Sequence, residues 1–217
     1  MATISSMKNL SANTRKQTGS HFTPENLAQF VAEAIFSVSE KTDAKILDPA
    51  CGDGELLAAI KCFFPSSKLY GFDINYEALK RTKLRTNAIV YQIDFLDYVL
   101  ENYSDGLFDS EEKYDLVIAN PPYIRTQVLG TVRAQAISRA FGLQGRIDIY
   151  YAFLEGIFRI LNKDGLAGVI VSNRFMSTKS GALVRQRIIE RFDIINVWDF
   201  GDTKLFEAAV LPAVLLL

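Results

Sequence analysis

Read along its length, the chain alternates between two spacings of apolar residues. Short runs dense in Val, Ile, Leu, Tyr and Phe occur at Lys45 to Asp48, Lys68 to Asp73, Ile89 to Ile93, Tyr114 to Ala119, Leu166 to Ser172, Ile194 to Phe200 and Leu211 to Leu217. Runs this brief, apolar at successive positions, predict strands buried on both faces. Between them the apolar residues recur at helical spacing. Leu27, Phe30, Val31, Ala34, Ile35 and Val38 share one helical face, with Thr23 as the predicted N-cap and Pro24 at the first helical position. A second face, from about Asp148 to Leu161, gathers Phe153, Leu154, Ile157, Phe158 and Leu161, and Lys163-Asp164-Gly165 predicts its end. Strands alternating with helices imply an α/β fold, a parallel sheet covered by helices on both faces. The polar stretch from Glu101 to Lys113 predicts a surface loop.

Composition narrows the class. A chain of 217 residues suits one large domain, and 49% apolar with 23% charged residues excludes a disordered, collagenous or disulfide-built chain. Lysine and arginine number 24 against 25 acids, so no global basic coat exists and charge must be read by region. Two cysteines and one histidine are too few for a zinc site of the Cys/His kind or a disulfide framework, which predicts no metal and a reducing, cytoplasmic setting. Neither the N-terminal residues nor the apolar run from Val210 to Leu217 has the length of a signal or spanning segment, so no membrane is expected. Residues 1–20 are expected to be a mobile N-terminal segment ahead of a folded domain over 21–217.

Chemistry concentrates at the ends of the predicted strands. The first runs into Asp48-Pro49-Ala50-Cys51-Gly52-Asp53-Gly54 and then a helical period: strand, glycine turn, helix. Gly52 and Gly54 leave room for a ligand against backbone, although the spacing departs from the dinucleotide fingerprint and also suits a plain tight turn. A carboxylate at Asp48 favours a ligand with an ammonium group over a pyrophosphate. The second strand ends at Asp73, placed to accept both hydroxyls of a ribose or, more plainly, to cap the helix near Tyr76. The third ends at Asp94, an acceptor for an exocyclic adenine amine, with Ile74 and Phe95 as apolar faces for the ring. A cationic amino-acid tail, a ribose and an adenine together describe S-adenosylmethionine.

The fourth strand ends in Asn120-Pro121-Pro122-Tyr123. Prolines stop the ladder, so a rigid turn is one reading. The other is chemical. An aromatic amine has its lone pair delocalised into the ring, and methylating it requires acceptors on its N–H groups so that the nitrogen becomes tetrahedral. The Asn120 side-chain oxygen and the Pro121 carbonyl supply two, held in fixed directions by the prolines, and Tyr123 offers a stacking face.

These residues resemble the N6-adenine DNA methyltransferases of restriction-modification systems, in the subgroup whose cofactor motifs precede the catalytic one. Gly19 to Pro24, with Phe22, Thr23 and Pro24, is similar to the motif that closes over the cofactor's methionine part. The stretch from Asp48 through Ala50, Gly52 and Gly54 resembles the cofactor loop, Asp73 and Asp94 the ribose and adenine ligands, and Asn120 to Tyr123 the catalytic tetrapeptide. Asp148 to Glu155 resembles the helix whose phenylalanine, here Phe153, lies beside the cofactor adenine. Lys204 to Val210 resembles the loop whose aromatic, here Phe206, contacts a flipped base. Helical spacing would bury Phe153 in any case. The resemblance implies a seven-stranded methyltransferase sheet with Leu211 to Leu217 antiparallel, S-adenosylmethionine as cofactor and double-stranded DNA as partner. It also implies that a target-recognition domain or subunit lies outside this chain.

Between Ile124 and Ile147 lie Arg125, Arg133, Arg139 and Arg146 with no acid, placed to meet DNA phosphates or to form a solvated helix face. His21 either positions the N-terminal segment or faces solvent. Other readings stay open: the same cofactor acting on RNA bases or protein glutamine, or a non-catalytic cofactor- or DNA-binding subunit. The glutamine enzymes usually carry a helical N-terminal domain, where this chain has only Phe22-Thr23-Pro24.

Overall fold

A computed structural model describes residues 23–103, 112–123, 131–142, 148–178, 181–201 and 211–217. In chain order the elements are α1 (Glu25–Val38), β1 (Lys45–Asp48), α2 (Glu55–Phe63), β2 (Lys68–Asp73), α3 (Tyr76–Thr86), β3 (Ile89–Gln92), α4 (Phe95–Asn102), β4 (Tyr114–Ala119), α5 (Thr131–Ala140), α6 (Tyr150–Ile160), β5 (Leu161–Ser172), α7 (Arg174–Ser177), α8 (Ala182–Arg191), β6 (Asn196–Asp199) and β7 (Pro212–Leu216). The strands form one seven-stranded sheet in the order β3-β2-β1-β4-β5-β7-β6. Strands β3 to β5 pair in parallel, while β7 runs antiparallel to both β5 and β6. The order reverses between β1 and β4, where an open α/β sheet leaves a crevice at its carboxyl edge.

The period of two along each strand divides the core. Leu47, Val117, Ala119, Val169, Val171, Ala213 and Leu215 face the layer containing α4, α6 and α8. Their neighbours Ile46, Leu116, Ile118, Ile170, Val214 and Leu216 face α1 and α2. Burial on both faces is what makes these strands read as unbroken apolar runs. In α1 the register brings Val31 and Ile35 directly over Gly168 of β5, where a Cβ would stand 2.7 Å from Val31 Cγ1 and 2.8 Å from Ile35 Cδ1.

Several boundaries differ from the sequence expectation. Helix α1 starts at Glu25, with Pro24 in the extended cap position and no side chain capping it. Thr23 is not the N-cap, because its hydroxyl is turned to Asn120 and Pro24 holds the entry to the helix extended. Val38 is exposed at the last turn, and Phe158 and Leu161 are half-buried. Helix α6 ends at Ile160, and β5 begins at once with Leu161 beside Tyr114. Lys163-Asp164-Gly165, expected to end the helix, lies instead within β5 as an interruption of that ladder, which resumes at Leu166 opposite Leu116, and Asp164 takes φ 63°. The expected loop after Glu101 starts at Tyr103, and residues 104–111 lie outside the described ones.

Gly168→Ala forces a methyl into the α1–β5 contact, and overpacking of this kind costs about 1 to 3 kcal/mol. A lower denaturant midpoint in urea unfolding, with unchanged slope, is the expected result.

Candidate active site

Residues from four successive parallel strands meet at the carboxyl edge of the sheet. The turn after β1 is built from backbone: Cys51 N–H donates to Phe72 O at 2.9 Å, and Gly54 N–H donates to Cys51 O at 2.8 Å. Gly52 and Gly54 both take positive φ, 49° and 80°, conformations that favour glycine. A Cβ on Gly52 would point into open space, whereas one on Gly54 would stand 2.9 Å from Thr82 Cγ2. Gly52 is held from two sides. Its N–H donates to Asp73 Oδ2 at 2.8 Å, and its carbonyl accepts the Thr82 hydroxyl at 2.6 Å. Arg81 to Asp53 and Arg85 to Glu55 add ion pairs between α3 and this turn, on an exposed face where such pairs contribute little individually.

Asp48 closes the floor of the turn. It is 1% exposed, and its Oδ1 accepts only the Ala50 N–H at 3.0 Å among the described contacts. Burial pushes its carboxyl up to about 8, the Ala50 N–H opposes this and the nearby Asp73 charge adds to it. Burial likewise raises Asp73, against the N–H groups of Asn75 and Gly52. Asp73 is not the N-cap of α3. Asn75 is, accepting from Glu77 and Ala78 N–H, while Asp73 Oδ1 accepts the Asn75 N–H at 2.8 Å. The Ile74 N–H acts on the same carboxylate, so of its roughly four lone-pair positions Asp73 keeps capacity for a further donor. Cys51 packs beneath Gly71, where a Cβ would meet its Sγ at 2.9 Å, and burial drives its thiol well above the ordinary range. Such a thiol is inert.

The adenine side of the expected pocket is occupied differently. Asp94 is the N-cap of α4, its Oδ1 accepting Leu96 N–H at 2.9 Å, and its Oδ2 pairs with Arg133 Nη2 at 2.6 Å. Arg133 also reaches both oxygens of Asp97 at 3.2 Å. Arg133, expected to face DNA, is thus the partner of Asp94, expected to face the cofactor. Arg139 is exposed, as is Ile74 at 56%. Phe95 and Phe153 are 2% and 5% exposed and pack against each other with ring centroids 5.0 Å apart, in the core as helical spacing allows. Phe22, His21, Arg125, Arg146 and Phe206 lie outside the described residues.

At the end of β4 the Asn120 carboxamide is held at both ends. Its Nδ2 donates to Thr23 Oγ1 at 3.0 Å, and its Oδ1 accepts the Tyr123 hydroxyl at 3.0 Å. Pro121 is buried behind it, Pro122 and Tyr123 are half-buried, and burial raises the Tyr123 phenol. Thr82 and Asn75 also shape this site, through Gly52 and Asp73, and are not among the residues that the sequence singles out. A polar cap residue two positions after an acid was a visible sign for Asn75 alone. Among the described residues no group of His, Cys, Asp and Glu is arranged to hold a metal, and no helix is long and apolar enough to cross a membrane.

A family profile described as Eco57I restriction-modification methylase matches residues 67–206. The chain belongs to this family. It is 41% identical over 221 residues to the type II methyltransferase M.BanIII of Aneurinibacillus aneurinilyticus, covering 92% of this chain and 38% of that protein. It is 25% identical to M.BstVI of Geobacillus stearothermophilus, covering 88% of this chain and 40% of that one. The chain therefore spans about two fifths of the length of these curated relatives. The methyltransferase subunit of a type I restriction-modification system from Streptococcus thermophilus superposes with a TM-score of 0.70 at 18% identity, over 91% of this chain and 44% of that one. A putative class I S-adenosylmethionine-dependent methyltransferase from Listeria monocytogenes gives 0.68 at 19%, over 90% and 59%. The fold of this Eco57I-family chain is that of S-adenosylmethionine-dependent methyltransferases, and its cofactor is S-adenosylmethionine.

The residues present fit that cofactor. A buried carboxyl with little else to pair with, beside a turn whose Gly52 would project a Cβ into open space, suits an ammonium-bearing ligand. An ammonium bound there would pair with the ionised form of Asp48, which below about pH 8 must first lose a proton. Cofactor affinity is therefore expected to fall as pH drops from about 8, by up to about tenfold per unit. Calorimetric titration of S-adenosylmethionine across pH, with Asp48→Asn losing the slope, checks this.

Proposed function

We propose that this chain transfers a methyl group from S-adenosylmethionine to the N6 amino group of an adenine drawn out of double-stranded DNA. The observation that carries the reading is the Asn120 carboxamide, fixed between Thr23 and Tyr123 at the β1–β4 crevice and followed by two prolines. When bound, the cofactor supplies an electrophilic methyl on a sulfonium. The rest falls to the chain's own residues. Asp48 and the Gly52–Gly54 turn hold the amino-acid end, Asp73 accepts the ribose hydroxyls with its remaining lone pairs, and Asp94 with Ile74 flanks the adenine ring.

Thr23 accepts one Asn120 N–H and so holds the carboxamide in place. Asn120 Oδ1 and the Pro121 carbonyl accept the two N–H groups of the base and draw its nitrogen out of conjugation. No charged base is needed beforehand, because the proton leaves once the nitrogen has become cationic. Tyr123 stacks on the base, worth about 1 to 3 kcal/mol for a base on an aromatic side chain. Phe153 backs the cofactor adenine through Phe95 and Arg139 meets phosphates; the same reading gives Phe206 the role of contacting the base and Arg125 and Arg146 that of meeting phosphates, all three outside the described residues. Reading of the DNA sequence falls to a recognition region outside this chain, and the enzyme works in the cytoplasm, where the DNA is.

Nucleoside mass spectrometry of DNA from a host without adenine methylation, expressing the full-length protein, tests the reading. N6-methyladenine is expected. Asn120→Ala should lower it at least about a hundredfold while leaving cofactor affinity within about twofold, since it removes an interaction made only in the transition state. No mark from a folded, cofactor-binding protein overturns the acceptor, and RNA and protein glutamine are then the acceptors to assay.

A further inference from the structure

Tyr150, the first residue of α6, is fully buried, and its hydroxyl has no hydrogen-bond partner. Two other buried polar atoms among the described residues share that state, Arg133 Nε and Glu155 Oε1. Arg133 is satisfied through its Nη2, and Glu155 faces Arg187 Nε at 3.8 Å. Tyr150 has neither recourse. The Tyr151 ring lies 4.3 Å away between centroids, at 71°, and its hydroxyl is near enough to act on the Tyr150 phenol, but in a geometry that leaves the Tyr150 hydroxyl without a well-formed hydrogen bond. A phenylalanine would fill the same space without an unmet hydroxyl, so a tyrosine here calls for a second arrangement in which the hydroxyl is used.

The neighbour that supplies one is Tyr123. Its ring centroid is 6.4 Å from that of Tyr150, and the two phenols act on each other electrostatically. The Tyr123 hydroxyl now donates to Asn120 Oδ1, the atom that the proposed reaction assigns to the base amino group. A phenol bonded there draws on the same oxygen and stands across the approach of the base. For its ring to stack, its hydroxyl must leave Oδ1, and inside a half-buried pocket it then needs a new partner.

Resting on the adenine reading above, we propose that Tyr150 is a positioning residue for base entry, its hydroxyl receiving the Tyr123 hydroxyl when the base takes Asn120 Oδ1. Without the base, Tyr123 is bonded to Asn120 and Tyr150 is unmet. With it, the base is bonded to Asn120 and the two phenols to each other, so the extra hydrogen bond exists only when a base is in place. Interactions of that kind select the loaded state.

Tyr150→Phe in the full-length protein tests this, with wild type, Tyr123→Phe and the double variant alongside. The single variant should keep or raise its melting temperature and hold cofactor affinity within about twofold, while kcat/KM for DNA falls about tenfold. Added to Tyr123→Phe, it should have no further effect on kcat/KM. Wild-type kcat/KM in Tyr150→Phe, losses that multiply in the double variant, or a lowered melting temperature with weakened cofactor binding each overturn the role. If wild type itself leaves no N6-methyladenine, the adenine reading falls and this inference with it, whereas an active wild type beside an unaffected Tyr150→Phe overturns the inference alone.

Discussion

The two-sided grip on Gly52 is the constraint from which the site is built. A turn that must leave its inner surface free for a ligand cannot be stabilised by side chains pointing inward. It is held instead through backbone, by Asp73 from β2 on the amide and by Thr82 from α3 on the carbonyl. Both partners come from the β2–α3 unit that follows the turn in sequence, so the unit adjoining the pocket also shapes it. The positive φ of Gly52 and Gly54 is the local condition for that geometry, and the close approach of Thr82 to Gly54 makes glycine obligatory there.

That grip places Asp48 in a spot shielded from water, where its charge is unfavourable until a cation arrives. The same strand edge carries Asn120 one crevice away, fixed by Thr23 at the entry to α1. A residue before the first helix thus orients the side chain at the end of the fourth strand. Pairing across such a sequence distance needs the finished sheet, because β1 and β4 must lie side by side before the crevice exists.

Asp94 and Arg133 show a further coupling. The acid expected on the cofactor side and the arginine expected on the DNA side bond to each other at 2.6 Å, with Asp97 as a second anchor. Helix α5, which follows Asn120-Pro121-Pro122-Tyr123, is tied by this bond to the end of β3. The Arg133 charge is thereby committed to two carboxylates, which a tally of arginines in the segment does not reveal.

Much of this was legible before any coordinates. Periodicity placed the strands from Lys45 to Ala119 almost to the residue: β1 and β4 are buried on both faces and so read as apolar runs, and the edge strand β3, although Ile89 and Tyr91 are exposed, keeps the same β-rich composition. The glycine turn, the strand-end acids and Asn-Pro-Pro-Tyr are local strings whose chemistry follows from residue type and order. Their partners were not legible. Nothing in the sequence ties Thr82 to Gly52, or Thr23, read as a cap and as part of the Gly19–Pro24 motif, to Asn120. The sequence by itself determined which groups would stand at the strand ends, since one backbone segment carries each of them. Only the tertiary structure decided which of them bond to one another, because a hydrogen bond depends on ångström-scale direction between segments that only the assembled sheet brings together.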